Sequence, residues 1–226
     1  MLVNISFILL TVFIFISMRF FYEKFKYAIF VPVLTSSICI ILFLLLLNVP
    51  YEQYKESTKW IQELLGPAVV ALAYPLYHQR KMIMKYKWPL TLSISSGIIT
   101  GIVSAFIFAK VIPVDMKIAI SSIPKSVTAP VAMDIANIIG GSASLAAAFV
   151  MVAGVGGAML GPALFKWLKI YHYIGIGAGL GAASHGIGTA RALEFGKKEA
   201  AVSSISMTIS AFIYSIILPI AILYFI

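Results

Sequence analysis

Residues 184–191, SHGIGTAR, interrupt an apolar run with a histidine, two hydroxyls and a guanidinium. Ser184, His185, Thr189 and Arg191 can together donate hydrogen bonds, carry a proton near neutral pH and hold an anion. Gly186 and Gly188 stand among them, and glycine permits backbone that other residues avoid. An unwound stretch exposes amides and a helix start, whose partial positive charge attracts anions. Polar side chains inside an apolar segment are costly to desolvate, so they mark a functional site by default. Gly186 and Gly188 are therefore expected to unwind the chain. The upstream pairs Gly175/Gly179 and Gly177/Gly181 have the spacing that lets membrane helices touch, and close packing is their expected role.

A second polar island, SSIPKSVTAP, lies at 121–130. Pro124 and Pro130 flank Lys125, Ser126 and Thr128. Neither proline suits a helix interior, though either can start a helix. Ser126 and Thr128 can bond to backbone groups that the prolines free. One reading is an interfacial loop whose lysine snorkels to water. The other is a re-entrant element whose Lys125 and helix-start amides attract an anion. Asp134 and Asn137 share a helical face with Pro130 and would line the same cavity.

The elements that must position these islands follow from composition. The chain has 226 residues, 61% hydrophobic and 11% charged. A soluble domain carries about 25% charged residues, and a helical membrane span needs about 20 mainly apolar ones. Apolar segments fall near 2–18, 28–49, 62–79, 88–112, 117–138, 143–165, 172–190 and 200–226. The expected fold is an all-α polytopic integral membrane protein with about 7–8 hydrophobic segments. Broken or re-entrant helices are expected near 66–80, 117–138 and 175–191. The first segment lacks a basic leader and a small-residue cleavage site, so it reads as a retained span. Cys39 is the single cysteine and can form no internal disulfide.

The net charge of +9 would point to nucleic acid in a soluble protein. Here no basic stretch has the length or aromatic interleaving of such a site, and the bias reads as cytoplasmic loops. It places 19–27 and 80–88 inside and 50–61 outside. Lys166 and Lys169 favour the cytoplasm, and so do Arg191, Lys197 and Lys198. Both loops cannot lie there if 172–190 crosses completely. Either that segment enters the membrane and returns, or the charge bias misleads.

The chain also matches itself. At an offset of 111 residues, Arg80 falls on Arg191, Lys87 on Lys198 and SIS at 93–95 on SIS at 204–206, with eight identities in 25 positions. Two repeats are expected, about 1–112 and 113–226, with breakers Pro67 and Pro75 in the first answering the glycines of the second. No HExxH or GxSxG motif is present, and adjacent Ser184 and His185 do not orient as nucleophile and base. The expectation is a protein that is not an enzyme, with no catalytic residues, no metal site and no cofactor.

Three stretches carry a resemblance: PKSVTAPVAMDIANIIGG (124–141), SLAAAFVMVAGVGGAMLGP (144–162) and AASHGIGTARALEFGKKEAAVSSISM (182–207). They resemble the LrgB/CidB family, from about residue 60 to the end. The family's blocks map onto Pro124, Lys125, Ser126, Thr128 and Pro130, and onto His185, Gly186, Gly188, Thr189 and Arg191. The resemblance implies a single LrgB-like transmembrane domain in the bacterial cytoplasmic membrane, working beside a small LrgA/CidA-like membrane protein. Members carry holin-like or antiholin-like labels, as modulators of murein hydrolase export and autolysis. A plant plastid relative moves glycolate and glycerate, and some bacterial pairs are linked to pyruvate movement. The resulting expectation is a transporter of small monocarboxylates (pyruvate, glycolate, lactate), with a holin-like pore or regulator as the alternative. Lys125 or Arg191 would hold the carboxylate. Ser126, Thr128, Ser184, His185 and Thr189 would supply donors where the two islands meet near mid-membrane. Glycine-rich faces at 154–161 and 175–181 also suit a homo-oligomer.

Overall fold

The computed structural model describes residues 2–25, 27, 30–64, 67, 70, 71 and 73–222. The chain divides into two compact units, Met1–Val70 and Ala71–Ile226. The expected repeat boundary at 112/113 falls inside the second unit.

In the first unit, α1 (Leu2–Phe25) is mainly apolar, with its charged residues Arg19, Glu23 and Lys24 gathered at its end. At 1.5 Å per residue it rises about 36 Å, enough for the roughly 30 Å hydrocarbon core. Proline at the first turn starts α2 (Pro32–Leu46). Two short helices follow, α3 (Tyr51–Ser57) and α4 (Lys59–Glu63). Tyr54 of α3 ties back to α1. Its hydroxyl lies 2.9 Å from that of Thr11, and its ring packs edge-on against Phe7. Leu9, Phe13 and Leu46 are exposed, as lipid-facing residues are.

The second unit opens with α5 (Ala73–His78) and α6 (Arg80–Lys85). Of the break expected near 66–80, residues 66, 68, 69 and 72 lie outside the described residues. Pro67 is helical, and Pro75 lies within α5. The described interruptions come later, at Gln79 and Tyr86, where ψ swings to 10° and 28°. Three long apolar helices follow: α7 (Lys87–Val111), α10 (Ala143–Trp167) and α12 (Lys197–Ile222), each long enough to cross a membrane.

Between them lie two elements that do not cross. The first is α11 (Tyr173–Phe195), whose helical geometry fails at His185, with φ 48° and ψ −124°. Across that point the chain reverses. Gly188 lies against the Leu180 carbonyl and Ser184, and Ala192 packs in one cluster with Ile176 and Leu180. In a continuous helix, residues 176 and 192 would be about 24 Å apart. The arms 173–184 and 186–195 are therefore antiparallel. The return is complete by Lys198, whose ammonium sits 5.7 Å from the ring centroid of Tyr173. From there α12 runs beside the first arm, with Gly177 against Glu199 and Val202, and Gly181 against Ser203.

The second element enters from the other end. After α7, Asp115 caps the next helix by accepting from the Lys117 amide at 2.8 Å. That helix, α8 (Met116–Ser122), packs back along α7, with Met116 and Ile123 lining one apolar cavity with Ile102 and Lys110. A 3-10 turn over Ile123–Ser126 and extended Val127 lead into α9 (Ala129–Ile138), with Pro130 in its first turn. The Ser142 amide then donates to Ser121 Oγ at 2.8 Å. Residues 122–140 thus leave and return to one level.

This is an all-α polytopic membrane fold with opposed re-entrant hairpins. It resolves the charge conflict. The starts of α7, α11 and α12 share one end with the end of α10, as Tyr86–Tyr173 and Phe165–Phe195 ring contacts show. That end carries Lys81, Lys85, Lys87, Lys166, Lys169, Lys197 and Lys198, the bias of a cytoplasmic face.

In a Cys39→Ser background, an impermeant maleimide is expected to label Lys169→Cys and Lys198→Cys from the same membrane face, and Val114→Cys from the opposite one. Labelling of 169 and 198 from opposite faces would mean that α11 crosses.

Candidate functional site

Pro124, with φ −82° and ψ 21°, stops α8 and swings Lys125 toward α7. There the ammonium donates to the Gly101 carbonyl at 3.3 Å and to Ser104 Oγ at 3.1 Å. Both acceptors are neutral, and among the described residues Lys125 makes no ion pair. A half-buried ammonium held only by dipoles retains its full attraction for an anion.

Next to it, Ser126 and the Tyr214 phenol of α12 both crowd against Gly101 of α7. Tyr214 is 1% exposed and itself donates to the Ile98 carbonyl at 3.1 Å. Gly101 makes this crossing possible, since a Cβ there would collide with the phenol. Three elements are thus pinned at one point: α7, the 3-10 turn and α12.

Above this point opens a cleft of about 560 Å³. Ser93, Ser96, Thr100 and Ser104 line it along α7, with Lys125 and Ser126 on the facing turn and Ala182 and Ala183 from the first arm of α11. Among the described residues, Lys125 is the only charged one in that lining. The α7 hydroxyls recur every three or four residues, so they share one helix face. Ser93 and Ser104 donate to carbonyls of their own helix, at 2.7 and 3.0 Å, and keep lone pairs to offer. Neither this stripe nor Tyr214 was among the expected site residues. The signal was legible: hydroxyls at helical spacing in an otherwise apolar span.

His185 lies beneath the same turn. It is 3% exposed, and its imidazole lies close to the Lys125 backbone. The two polar islands therefore touch. The His185 backbone occupies the conformation of the first central residue of a type II′ turn, a place for glycine. A side chain held there stores strain, and such strain gathers at functional sites. Thr189 braces the turn, donating to the His185 carbonyl at 2.8 Å and sharing a bond with Ser203 Oγ at 2.9 Å.

The remaining expected residues are placed differently. The unwinding anticipated at Gly186 and Gly188 falls on His185 instead. Gly188 stays helical because its missing side chain lets the hairpin arms meet, while Gly186 faces open space. Ser184 is buried against Gly157 of α10, and Thr128 precedes α9 without capping it. Arg191 pairs with Glu194 on the second arm, and it does not line the cleft. Asp134 and Asn137 are exposed and do not line it either, since α9 turns that face outward. Ser184 Oγ, His185 Nε2 and Thr128 Oγ1 are buried without a hydrogen-bond partner.

A family model described as the LrgB-like family matches residues 11–224. A Bacillus subtilis (strain 168) protein named Uncharacterized protein YxaC is 43% identical over 220 residues, covering 97% of this chain and 96% of the relative. A Staphylococcus epidermidis protein named Holin-like protein CidB is 34% identical over 218 residues, covering 96% and 95%. A Staphylococcus aureus protein of the same name is 32% identical over the same shares. No solved structure matches.

A Cβ added at Gly181 would run into the Ser203 backbone, which cannot yield as a side chain can. Gly181→Ala is expected to cost about 1–3 kcal/mol through overpacking. Gly156→Ala, which meets nothing within 4 Å, is expected to leave stability unchanged or slightly raised. Thermal unfolding of the two variants in detergent checks this contrast.

Proposed function

The chain belongs to the LrgB-like family, and on that premise we propose that it facilitates movement of small monocarboxylates of the pyruvate, lactate and glycolate class across the bacterial cytoplasmic membrane. One observation carries the reading: an ammonium without a carboxylate partner, Lys125, lines a hydroxyl-faced cleft between two re-entrant hairpins. A carboxylate entering the cleft would replace the neutral acceptors Gly101 and Ser104 on the ammonium. At about 4 Å and an effective dielectric near 20, that attraction is worth about 4 kcal/mol before desolvation. The α7 hydroxyls would donate to the remaining oxygens in exchange for the carbonyls of their own helix. The cleft volume leaves room for such an acid with its water.

The hairpins support transport rather than a fixed lesion. Broken helices meeting at depth leave only a short barrier on either side of a central site. The unpartnered Ser184, His185 and Thr128 atoms lie where that barrier would change, and a second arrangement would give them partners. The reading assigns no covalent chemistry to the protein. Its site consists of Lys125 and Ser126 with the α7 stripe, supported by His185 and Thr189, while Arg191 belongs to the cytoplasmic end.

A second reading, a holin-like pore or its regulator in autolysis, draws on the name of the staphylococcal relatives. The same name motivates the proposal that the chain works beside a small LrgA/CidA-like membrane protein. Self-association through its glycine-rich faces is compatible with either reading.

The test is uptake of labelled pyruvate, lactate and glycolate into proteoliposomes holding this chain, with and without the small partner. Lys125→Gln is expected to weaken apparent affinity about ten- to a hundredfold, the range for a lost charged hydrogen bond. Arg191→Gln is expected to change it little. Saturable uptake that is indifferent to Lys125 removes the proposed site. Release of large trapped dyes without saturable uptake favours the pore.

A further inference from the structure

A separate cavity lies at the lysine-rich end of the second unit. It measures about 340 Å³ and is lined by Lys81, Lys85, Tyr86, Tyr173 and Lys198, with Met82. Two of the lysines come from α6 and one from the first turn of α12, so the fold gathers them from distant parts of the chain. None of the three is in an ion pair among the described residues. The carboxylate of Glu199 is turned toward Gly196 at the start of α12. Three like charges around one small cavity repel each other, and among the described residues no anion lines the cavity to offset that cost.

The two phenols complete the lining. Their rings meet edge-on at 5.9 Å and 87°. Lys85 lies 5.3 Å from the Tyr86 ring and Lys198 lies 5.7 Å from the Tyr173 ring. A hydrogen bond from Tyr173, ahead of the charges of Lys85 and Lys198, draws the Tyr86 hydroxyl below the usual phenol range. The helix starts of α7 at Lys87, α11 at Tyr173 and α12 at Lys197 lie around this cavity, and their partial charges share the sign of the lysines. Tyrosines mark the headgroup level of a bilayer, and lysines beside them on the cytoplasmic side face anionic lipid.

We propose that this cavity binds a phosphate group, three ammonium groups holding the anionic oxygens and the Tyr86 hydroxyl donating beside them. The bound group has two possible sources, the headgroup of an anionic phospholipid and a free phosphate. The site is distinct from the Lys125 cleft, with which it shares no lining residue. It stands whether or not the cleft carries acids.

The experiment uses the full chain purified from phosphatidylcholine vesicles doped with phosphatidylglycerol, with retained lipid counted by native mass spectrometry. The triple variant Lys81→Gln/Lys85→Gln/Lys198→Gln is compared with Lys166→Gln/Lys169→Gln/Lys197→Gln, which removes the same charge from the same end outside the cavity. Retained phosphatidylglycerol is expected to fall about tenfold or more in the first variant, at roughly a factor of several per lysine, and to stay near wild type in the second. A parallel arm titrates inorganic phosphate into protein held in phosphatidylcholine alone, with thermal unfolding as readout. Stabilisation lost only in the first variant identifies the free anion as the ligand. Equal lipid retention in both variants, with no phosphate response that depends on the three lysines, overturns the proposal.

Discussion

At His185 the backbone turns through φ 48° and ψ −124°, and the second unit is arranged around that reversal. A span that fails at mid-depth must satisfy its freed amides and carbonyls without water. Here the protein satisfies them locally. The Thr189 hydroxyl takes the His185 carbonyl, and the returning arm covers the first one. Because the arm returns, the start of α12 lies beside the start of α11. That placement sends α12 through the bundle toward Ile98 and Ser126, where Tyr214 closes the structure.

The reversal requires unusually close packing, and small residues supply it. Gly177 and Gly181 admit the backbone of α12, Gly188 admits the Leu180 carbonyl, and Gly157 admits Ser184. With no difference in apolarity between lipid and side chains, such contacts are a main source of attraction between membrane helices. The spacing of these glycines is therefore as much part of the hairpin as the turn itself.

Opposed hairpins also explain how a lysine can reside in the interior. The ammonium of Lys125 would be costly in hydrocarbon. It reaches a cleft faced with hydroxyls, while His185 from the other hairpin lies close to its backbone. The strained residue and the charged residue thus depend on each other. One positions the turn on which the other is displayed.

Much of this was legible in the residues. Hydrophobic runs long enough to span, prolines at 124 and 130 and the polar island at 184–191 determine an all-α membrane chain with breaks at those places. Local chemistry suffices there, because desolvation and missing amide donors act on each segment alone. The conflict between the lysines at 166–169 and those at 197–198 could be stated from sequence but had two resolutions. Only the tertiary structure decided it, by packing 188 on 180 and 192 on 176, contacts that no single segment encodes. The same holds for the residue that unwinds. Intrinsic preference favours Gly186 or Gly188, but close approach of the hairpin arms claims Gly188 for packing and shifts the strain to His185. It holds also for the cation in the cleft: Lys125 and Arg191 are equivalent as sequence. They differ because Arg191 finds Glu194 one helical turn away on its own arm, whereas Lys125 is carried by its turn to the hydroxyl face of a different helix.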